Sequence, residues 1–366
     1  MASTTSSSGP SARRVAVAGA GVIGASIAWR LAQRGWHVVL YDQGDFGGEA
    51  SWAGAGMLAP GGELDRESEL VTLAQRSRAL YPEFVSELET ASGLPIDYQE
   101  NGALDLAYSE AEWQGLRQRS SRQTELGIHA RVMPAHQVKA FWPLVRSEGL
   151  AGAMFYPGDA VVDPRTLMAA LRVACQQAGV TIAERHPVHS IEQVTTRHIR
   201  VWSDSGGDDF RAAVLAAGAW SGSIAISGMP GVPASEPVKG HLIGYQMPEK
   251  CCHTIVRRGL SDTYILQRAN GFLIAGSSME HAGFDRSIQG HIAKQLESNA
   301  AFLLPRLAET SPTQVWVGFR PGSDRLHLGH WQDSALYLAY GHLRNGLLLA
   351  PATAERISAQ MSEAFF

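Results

Sequence analysis

The sequence predicts an α/β fold in which a parallel-sheet, ligand-binding domain is interleaved with a mainly antiparallel one. Three observations carry this. A strand–helix–strand unit occupies Arg13 to Asp42, buried-type strands of the same style return near Ala212 and Leu336, and Pro237 to Gly283 holds short strands of another kind. A length of 366 residues suits two such domains.

The opening unit comes first. Arg14 to Gly19 alternates small and β-branched apolar residues and reads as a buried strand. Gly19-Ala20-Gly21-Val22-Ile23-Gly24 fits G-x-G-x-x-G. Ile23, Ile27, Ala28 and Leu31 then share one helical face, and Gly35 sits where a helix C-cap belongs. Trp36 to Tyr41 is a second apolar strand, with Asp42 at its end. In a dinucleotide site Gly19 permits the tight turn, Gly21 lets backbone approach a pyrophosphate, and Gly24 lets helix pack on strand. The helix N-terminus offers N–H groups to phosphates, and Asp42 offers a carboxylate to ribose hydroxyls. Strand, glycines, helix, strand and acid arrive in order, so the chain is read as binding a dinucleotide.

Glu49 to Leu58 carries almost no bulky side chains besides Trp52, Met57 and Leu58, as expected where backbone approaches a ligand. Glu67 to Ser92 has helical spacing, Tyr98 to Tyr108 reads as strand, and Glu110 to Leu126 as a helix. Asp163 and Pro164 form an N-cap and first helical position for a helix that stops near Gly179. Short strands follow at Val180–Ala183, Val188–Val194 and His198–Val201. The buried strand Ala212–Ala217 ends in Gly218-Ala219-Trp220-Ser221, a second place for backbone contact through Ala217, Gly218 and Trp220. Strands at Leu242–Gln246, Thr263–Gln267 and Phe272–Ser277 suggest antiparallel sheet, and a helix follows at Gly290–Leu304. Strands near Val315–Phe319 and Leu336–Tyr340, a loop at Gly341–Gly346 and a helix from Leu348 complete the chain. The dinucleotide domain is therefore expected at 13–85, 150–228 and 312–366, the substrate domain at 86–149 and 229–311, and a disordered leader at 1–12.

Composition excludes several classes. Lys plus Arg number 31 against 35 acids, for a net charge of −4 with no block of like charge, so nucleic acid is not an expected partner. No run approaches the ~18 apolar residues of a membrane span. Three cysteines, Cys175, Cys251 and Cys252, with no C-x-x-C, fit a reducing cytoplasm without disulfides or zinc. His186 with His189, and His327, His330 and His342, lack companion ligands at metal spacing, so no metal is expected.

Arg320 ends a strand, and Pro321-Gly322 force an immediate turn, which holds a planar fork suited to a carboxylate; a structural ion pair is the equal alternative. Arg344 precedes an apolar helix start and reads as a cap, a salt bridge or a ligand contact. Tyr264, Met57 and Met279 are packing residues by default.

GAGVIGASIAWRLA, SWAGAGMLAP, GDAVVDPRTL, LAAGAWSG, PVKGHL, SSMEHAGFD, VGFRPGSD and GHLRNGLLLAPATAE stand in one order from about Arg14 to Met361. Together they resemble the FAD-dependent amino-acid oxidase (DAO) family, above all its glycine oxidases of the thiamine-pathway type. The resemblance implies a Rossmann-like FAD domain with an interleaved antiparallel substrate domain, of the glutathione-reductase-2-like kind, and noncovalent FAD. Gly19, Gly21, Val22, Ile23 and Gly24 would form the pyrophosphate turn, with Asp42 and Gln43 near the ribose. Ala50, Ser51, Ala55, Gly56 and Met57 would line the flavin side, and Val188 would touch adenine. His342, Leu343, Arg344, Asn345, Gly346, Leu347 and Leu348 would wrap the flavin's pyrimidine end. Arg320 matches the carboxylate-binding arginine, Arg344 the second arginine, Tyr264 a substrate tyrosine and Met279 an active-site methionine. Leu326-His327-Leu328 departs from a Pro-aromatic pair common there, and the segment before Tyr264 diverges.

The expected activity is oxidative deamination of glycine, sarcosine or a small D-amino acid, with oxygen as acceptor and hydrogen peroxide as product. No side chain serves as base, since the cofactor takes the electrons. The alternatives are a D-amino-acid dehydrogenase passing electrons to a quinone, a non-catalytic flavoprotein subunit, and a nicotinamide enzyme. A cytoplasmic homo-oligomer is expected, acting on a small amino acid and oxygen.

Overall fold

The first strand, β1 (Arg14–Ala18), shows why the sheet around it is apolar throughout. Val15 and Val17 enter one core, and Ala16 and Ala18 enter another on the opposite face. A strand buried on both faces cannot alternate with polar residues. The computed structural model describes residues 13–259 and 261–365, so the leader expected at 1–12 lies outside the described residues.

After β1 the chain forms the helix α1 (Val22–Gln33) and the strand β2 (His37–Tyr41). Gly35 closes the helix with φ +80°. The six-stranded sheet runs His327–His330, Leu336–Tyr340, Ala212–Leu215, β1, β2, Thr181–Ala183, and only its first pair is antiparallel. β1 lies between β2 and Ala212–Leu215, in parallel register with both (Val15 opposite Val38 and Ala212). The strand order therefore reverses at β1, and ligands in open parallel sheets bind at the carboxyl ends of strands beside such a reversal.

One face of this sheet carries α1 and the helices Glu69–Ser92, Pro164–Gln177 and Gly346–Phe365 in a shared core. The other is covered by a four-stranded sheet of Gly206–Phe210, His198–Ser203, Val188–Thr195 and Ala225–Ser227. Gly206–Phe210 was not expected as a strand. It reads Gly-Gly-Asp-Asp-Phe with no apolar alternation, and forms because it continues a hairpin at an exposed edge.

The second large sheet has eight strands: Gln314–Gly322, Glu236–Gln246, Phe272–Gly276, Tyr264–Gln267, Ile255–Arg258, Ala103–Ala107, Gly152–Tyr156 and Arg131–Met133. All pairs are antiparallel except Ile255–Arg258 with Ala103–Ala107. Helix Gly290–Leu303 packs its Leu296, Ala300 and Leu303 into the core behind it. Two strands that the sequence grouped with the dinucleotide domain, Gly152–Tyr156 and Gln314–Gly322, belong here. Local pattern does not reveal a partner: Gln314–Gly322 pairs continuously with Glu236–Gly244, a strand nearly eighty residues earlier in the chain. The stretch Tyr98–Tyr108, read as one strand, is two, broken at Gly102 with φ +77° and assigned to different sheets. Among the described residues no helix is long and apolar enough to cross a membrane.

Candidate functional site

The tight turn after β1 brings backbone against backbone. Gly19 adopts φ +108°, and a Cβ on it would lie 2.3 Å from the Ala216 carbonyl oxygen. A Cβ on Gly24 would lie 1.8 Å from the carbonyl oxygen of Gly19. Only glycine fits at either place, so the start of α1 sits directly on the strand ends. Gly21 is the helix N-cap and supplies no side-chain cap. The amide of Val22 instead donates to Ser51 Oγ at 2.8 Å, which draws the short helix Ala50–Ala53 onto the turn.

Asp42, at the end of β2, accepts from the Ala20 amide on Oδ2 (2.7 Å) and from the Gly44 amide on Oδ1 (2.8 Å). A carboxylate offers about four acceptor sites, so these two bonds shape the loops and leave capacity for ligand hydroxyls. Burial pushes its carboxyl above the usual range, against the pull of the Gly44 and Ala20 amides.

These groups open into a cavity of about 410 Å³ between the two large sheets. Cofactor sites span ~300–1,000 Å³ and combine apolar walls with a few placed polar groups. On its wall lie the expected residues Gly19, Gly21, Val22, Ile23, Asp42, Gln43, Ala50, Ser51, Ala55, Gly56, Met57 and Val188. Ala217, Gly218, Trp220, Tyr264, Arg320, His342, Leu343, Arg344, Gly346 and Leu347 join them. Four expected residues stand elsewhere. Gly24 acts beneath the turn, as its packing role requires. Asn345 offers its carbonyl to the Leu349 amide (2.8 Å) at the start of the last helix, and Leu348 is buried in the core. Met279 is 44% exposed, because the chain after Ser278 runs back to bridge Lys239 through Glu280.

At the far end the eight-stranded sheet supplies charge. Arg320 Nη1 donates to the Ser278 carbonyl (3.0 Å) and Nη2 to Ser277 Oγ (2.9 Å). The guanidinium lies flat over Gly240, where any Cβ would come within 2.3 Å of it. Tyr264 is buried on the neighbouring strand with its hydroxyl over Gly276. Arg344 Nη1 pairs with Asp262 Oδ1 at 2.5 Å, an ion pair at the cavity edge. Trp316 Nε1 donates to the Ala53 carbonyl (3.0 Å) and ties this sheet to the flank of the glycine turn.

His342 is fully buried, with Nε2 3.2 Å from Thr353 Oγ1 and Nδ1 without a partner among the described residues. Burial pushes its pKa down to about 3, so the ring is neutral. His342 lines the cavity as a residue, while its Nδ1 is itself shielded. The glycine turn, the start of α1 and Asp42, all on the cavity wall, fit a flavin dinucleotide.

Several wall residues escaped sequence reasoning, among them Tyr41, Pro187, Gly240, Ser277, Gly318 and Tyr340. The one available signal was glycine in the middle of strands, at Gly240 and Gly318, which marks close approach. A second cavity of about 350 Å³ shares Met57, Tyr264 and Arg344 with the first. Behind it Asp105 pairs with both Arg119 and Arg257, and Arg257 also meets Asp159, all buried. Asp105 interrupts an otherwise apolar strand, Ala-Leu-Asp-Leu-Ala, and that interruption was its sequence signal.

The family model described as DAO, FAD dependent oxidoreductase, matches residues 14–360. The glycine oxidase of Geobacillus kaustophilus (strain HTA426) is 34% identical over 345 residues, covering 93% of this chain and 90% of that protein. A crystal structure of glycine oxidase from Geobacillus kaustophilus superposes with a TM-score of 0.89 at 30% identity, covering 96% of this chain and 95% of that one. The iminodiacetate oxidase of Chelativorans sp. BNC1 superposes with a TM-score of 0.86 at 26% identity, covering 96% and 95%.

Proposed function

The chain belongs to the FAD dependent oxidoreductase family, and from that premise we propose that it oxidises the C–N bond of a small amino acid, glycine first. It is a flavin-dependent amino-acid oxidoreductase. Sarcosine and small D-amino acids stand next, and the likeness to an iminodiacetate oxidase keeps N-substituted glycines in range. The products are the 2-oxo acid, ammonia or an amine, and hydrogen peroxide.

The observation that carries the reading is Arg320, a guanidinium fixed by two hydrogen bonds on the wall of the cavity that the glycine turn opens. A planar fork so held grips a carboxylate at two points and orients what is attached to it. Tyr264 brings a phenol to the same end, and Arg344, neutralised by Asp262, closes the edge. The bound FAD supplies the two-electron acceptor. The protein's part is orientation and exclusion of water: the substrate's Cα–H is aimed by its carboxylate, and the amine is released as an iminium that water hydrolyses. Gly19, Gly21, Val22, Ser51 and Asp42 would hold the dinucleotide's phosphate and ribose portion, and His342 with the start of the last helix would hold its ring. Cys175, Cys251 and Cys252 stand off the cavity wall, which supports noncovalent attachment.

The reading also carries forward the domain division, with Gly152–Tyr156 and Gln314–Gly322 moved to the substrate domain, a cytoplasmic setting and a homo-oligomer, the last tested by light scattering. The test of function is a peroxide-coupled screen of the purified yellow protein with glycine, sarcosine, iminodiacetate and small D- and L-amino acids. Turnover is expected for glycine or an N-substituted glycine, with oxygen as sole acceptor. Flavin that none of them bleaches under anaerobic conditions removes the proposal.

A further inference from the structure

Arg320 is held at Ser277 and Ser278, and that turn is itself held from behind. We infer that Glu280 and His241 are positioning residues that fix Arg320 through Ser278. The inference rests on the proposed role of Arg320 as the carboxylate anchor.

Heavy-atom geometry assigns every proton in this group. The backbone amide of Gln289 lies 3.0 Å from His241 Nε2, and an amide N–H can only donate, so Nε2 is the acceptor. The buried ring is therefore neutral and carries its proton on Nδ1, 2.8 Å from Glu280 Oε1. Ser278 Oγ accepts the His241 amide at 2.8 Å and lies 2.6 Å from the same Oε1, so its own O–H is donated to Glu280. Burial alone would raise the Glu280 carboxyl, yet the donors Ser278 and His241 hold it below the usual range, so it is ionised. Backbone bonds in both directions between Lys239 and Glu280 (2.9 Å each) lock the segment to strand Glu236–Gln246. Lys239 is buried too; its ammonium bonds to Asp285 and the Ser287 carbonyl, and its charge adds to the pull that keeps Glu280 ionised.

The result is a chain of contacts with one outlet. Glu280 fixes the Ser278 hydroxyl, His241 fixes Glu280, and the Ser278 carbonyl receives Arg320 Nη1. Hydrogen bonds polarise along such chains, and a half-buried group so linked around the buried His241 ring favours a single arrangement. A guanidinium that must meet a carboxylate at two points needs that: a displacement of about 1 Å is enough to cost a large factor in binding or rate. Apolar residues would pack this space without the cost of burying the His241 imidazole, so the group is read as setting position.

The test uses the holoenzyme with four variants, Glu280→Ala, Glu280→Gln, Ser278→Ala and Arg320→Ala. It measures the glycolate Kd from the flavin absorbance change, KM and kcat for glycine, flavin content and Tm. Glu280→Ala is expected to raise the glycolate Kd and glycine KM about tenfold, with kcat and flavin content near the parent's. Glu280→Gln, whose Oε1 still accepts from Ser278, should recover most of that loss. Ser278→Ala cuts the same link without removing a charge and should raise both constants about threefold, which keeps the test alive if Glu280→Ala does not fold. The inference is overturned if Glu280→Ala and Ser278→Ala bind glycolate like the parent while Arg320→Ala does not. It is equally overturned if both Glu280 variants lose Tm and flavin together with no selective rise in KM. Parent-like glycolate binding by Arg320→Ala would instead sink the anchor reading, and this one with it.

Discussion

The two ends of the cavity are made of different materials. At the dinucleotide end the contacts are backbone: a glycine turn, the start of α1, and amides gathered on Asp42 and Ser51. At the opposite end they are charged and aromatic side chains, Arg320, Tyr264 and Arg344, delivered by separate stretches of chain and held by further side chains. The first end is local in sequence and sterically exact to tenths of an ångström. The second is assembled over long sequence distances and depends on hydrogen-bonded supports. A backbone-built end should fail by not forming, and a side-chain-built end by forming but binding poorly.

The largest effect expected from this contrast is at Gly24. An added methyl would stand 1.8 Å from the Gly19 carbonyl oxygen, with strand and helix both buried and unable to part. Gly24→Ala should cost about 3 kcal/mol or more. The protein should purify colourless, with a lowered urea midpoint even at high added FAD. A yellow, normally stable Gly24→Ala would break the comparison at its stronger side.

Arg320→Ala is the matching cut at the other end. Loss of a charge-assisted contact is worth about 1.5–3 kcal/mol, or roughly a tenfold to hundredfold rise in KM. Flavin content and Tm should stay near the parent's, because Arg320 lines the cavity from the eight-stranded sheet while the glycine turn stands on the other sheet. Arg320→Lys should restore little, since a point charge cannot span Ser277, the Ser278 carbonyl and a carboxylate together. Steady-state kinetics beside the flavin spectrum separate these outcomes.

His342 stands where the two ends meet, and it gives the comparison a pH axis. Burial depresses its pKa to about 3, against ~6.5 in an unfolded chain. Between those values the unfolded state binds a proton that the folded state refuses, so stability is full above about pH 6.5 and falls as the pH drops. From pH 6.5 to 5 the loss from this one ring is about 2 kcal/mol. His342→Gln should therefore show a flatter decline in urea midpoint over that interval, whatever its stability at neutral pH. An equal slope in both proteins would mean that the ring is not shielded as its burial implies.

The same contrast governs how much of the molecule was legible in the sequence. The βαβ unit could be read residue by residue because its glycines, apolar alternation and terminal acid are fixed by short-range geometry. The cap at Asp163 was legible for the same reason, and its Oδ1 does accept the Arg165 amide. Sheet membership was not legible for Gln314–Gly322, because apolar alternation says that a strand is half buried but not against which neighbour. The role of Arg320 was an even choice from its residues alone, and resemblance to a family tipped it. Nothing in the sequence around Ser277, Ser278 or Glu280 marks them as its supports, because their partners His241 and Gln289 approach from elsewhere in the fold. Met279 is the reverse case: a motif position carried over by resemblance whose side chain is 44% exposed and off the cavity wall.

The smallest effect, and the finest probe of the contrast, is at Ser277. Its hydroxyl accepts from Arg320 Nη2 at 2.9 Å, one of the two bonds that aim the guanidinium into the cavity. Ser277→Ala leaves the strand and the second bond, to the Ser278 carbonyl, in place. A single hydrogen bond contributes about 1 kcal/mol net, so KM should rise roughly fivefold while kcat and flavin content hold. The value lies in the pairing with Gly24. There one added carbon abolishes a site made of backbone, and here one deleted oxygen only loosens a site made of side chains. If Ser277→Ala instead lost its flavin, the carboxylate end would be supporting the dinucleotide end, and the two would have to be treated as one cooperative structure.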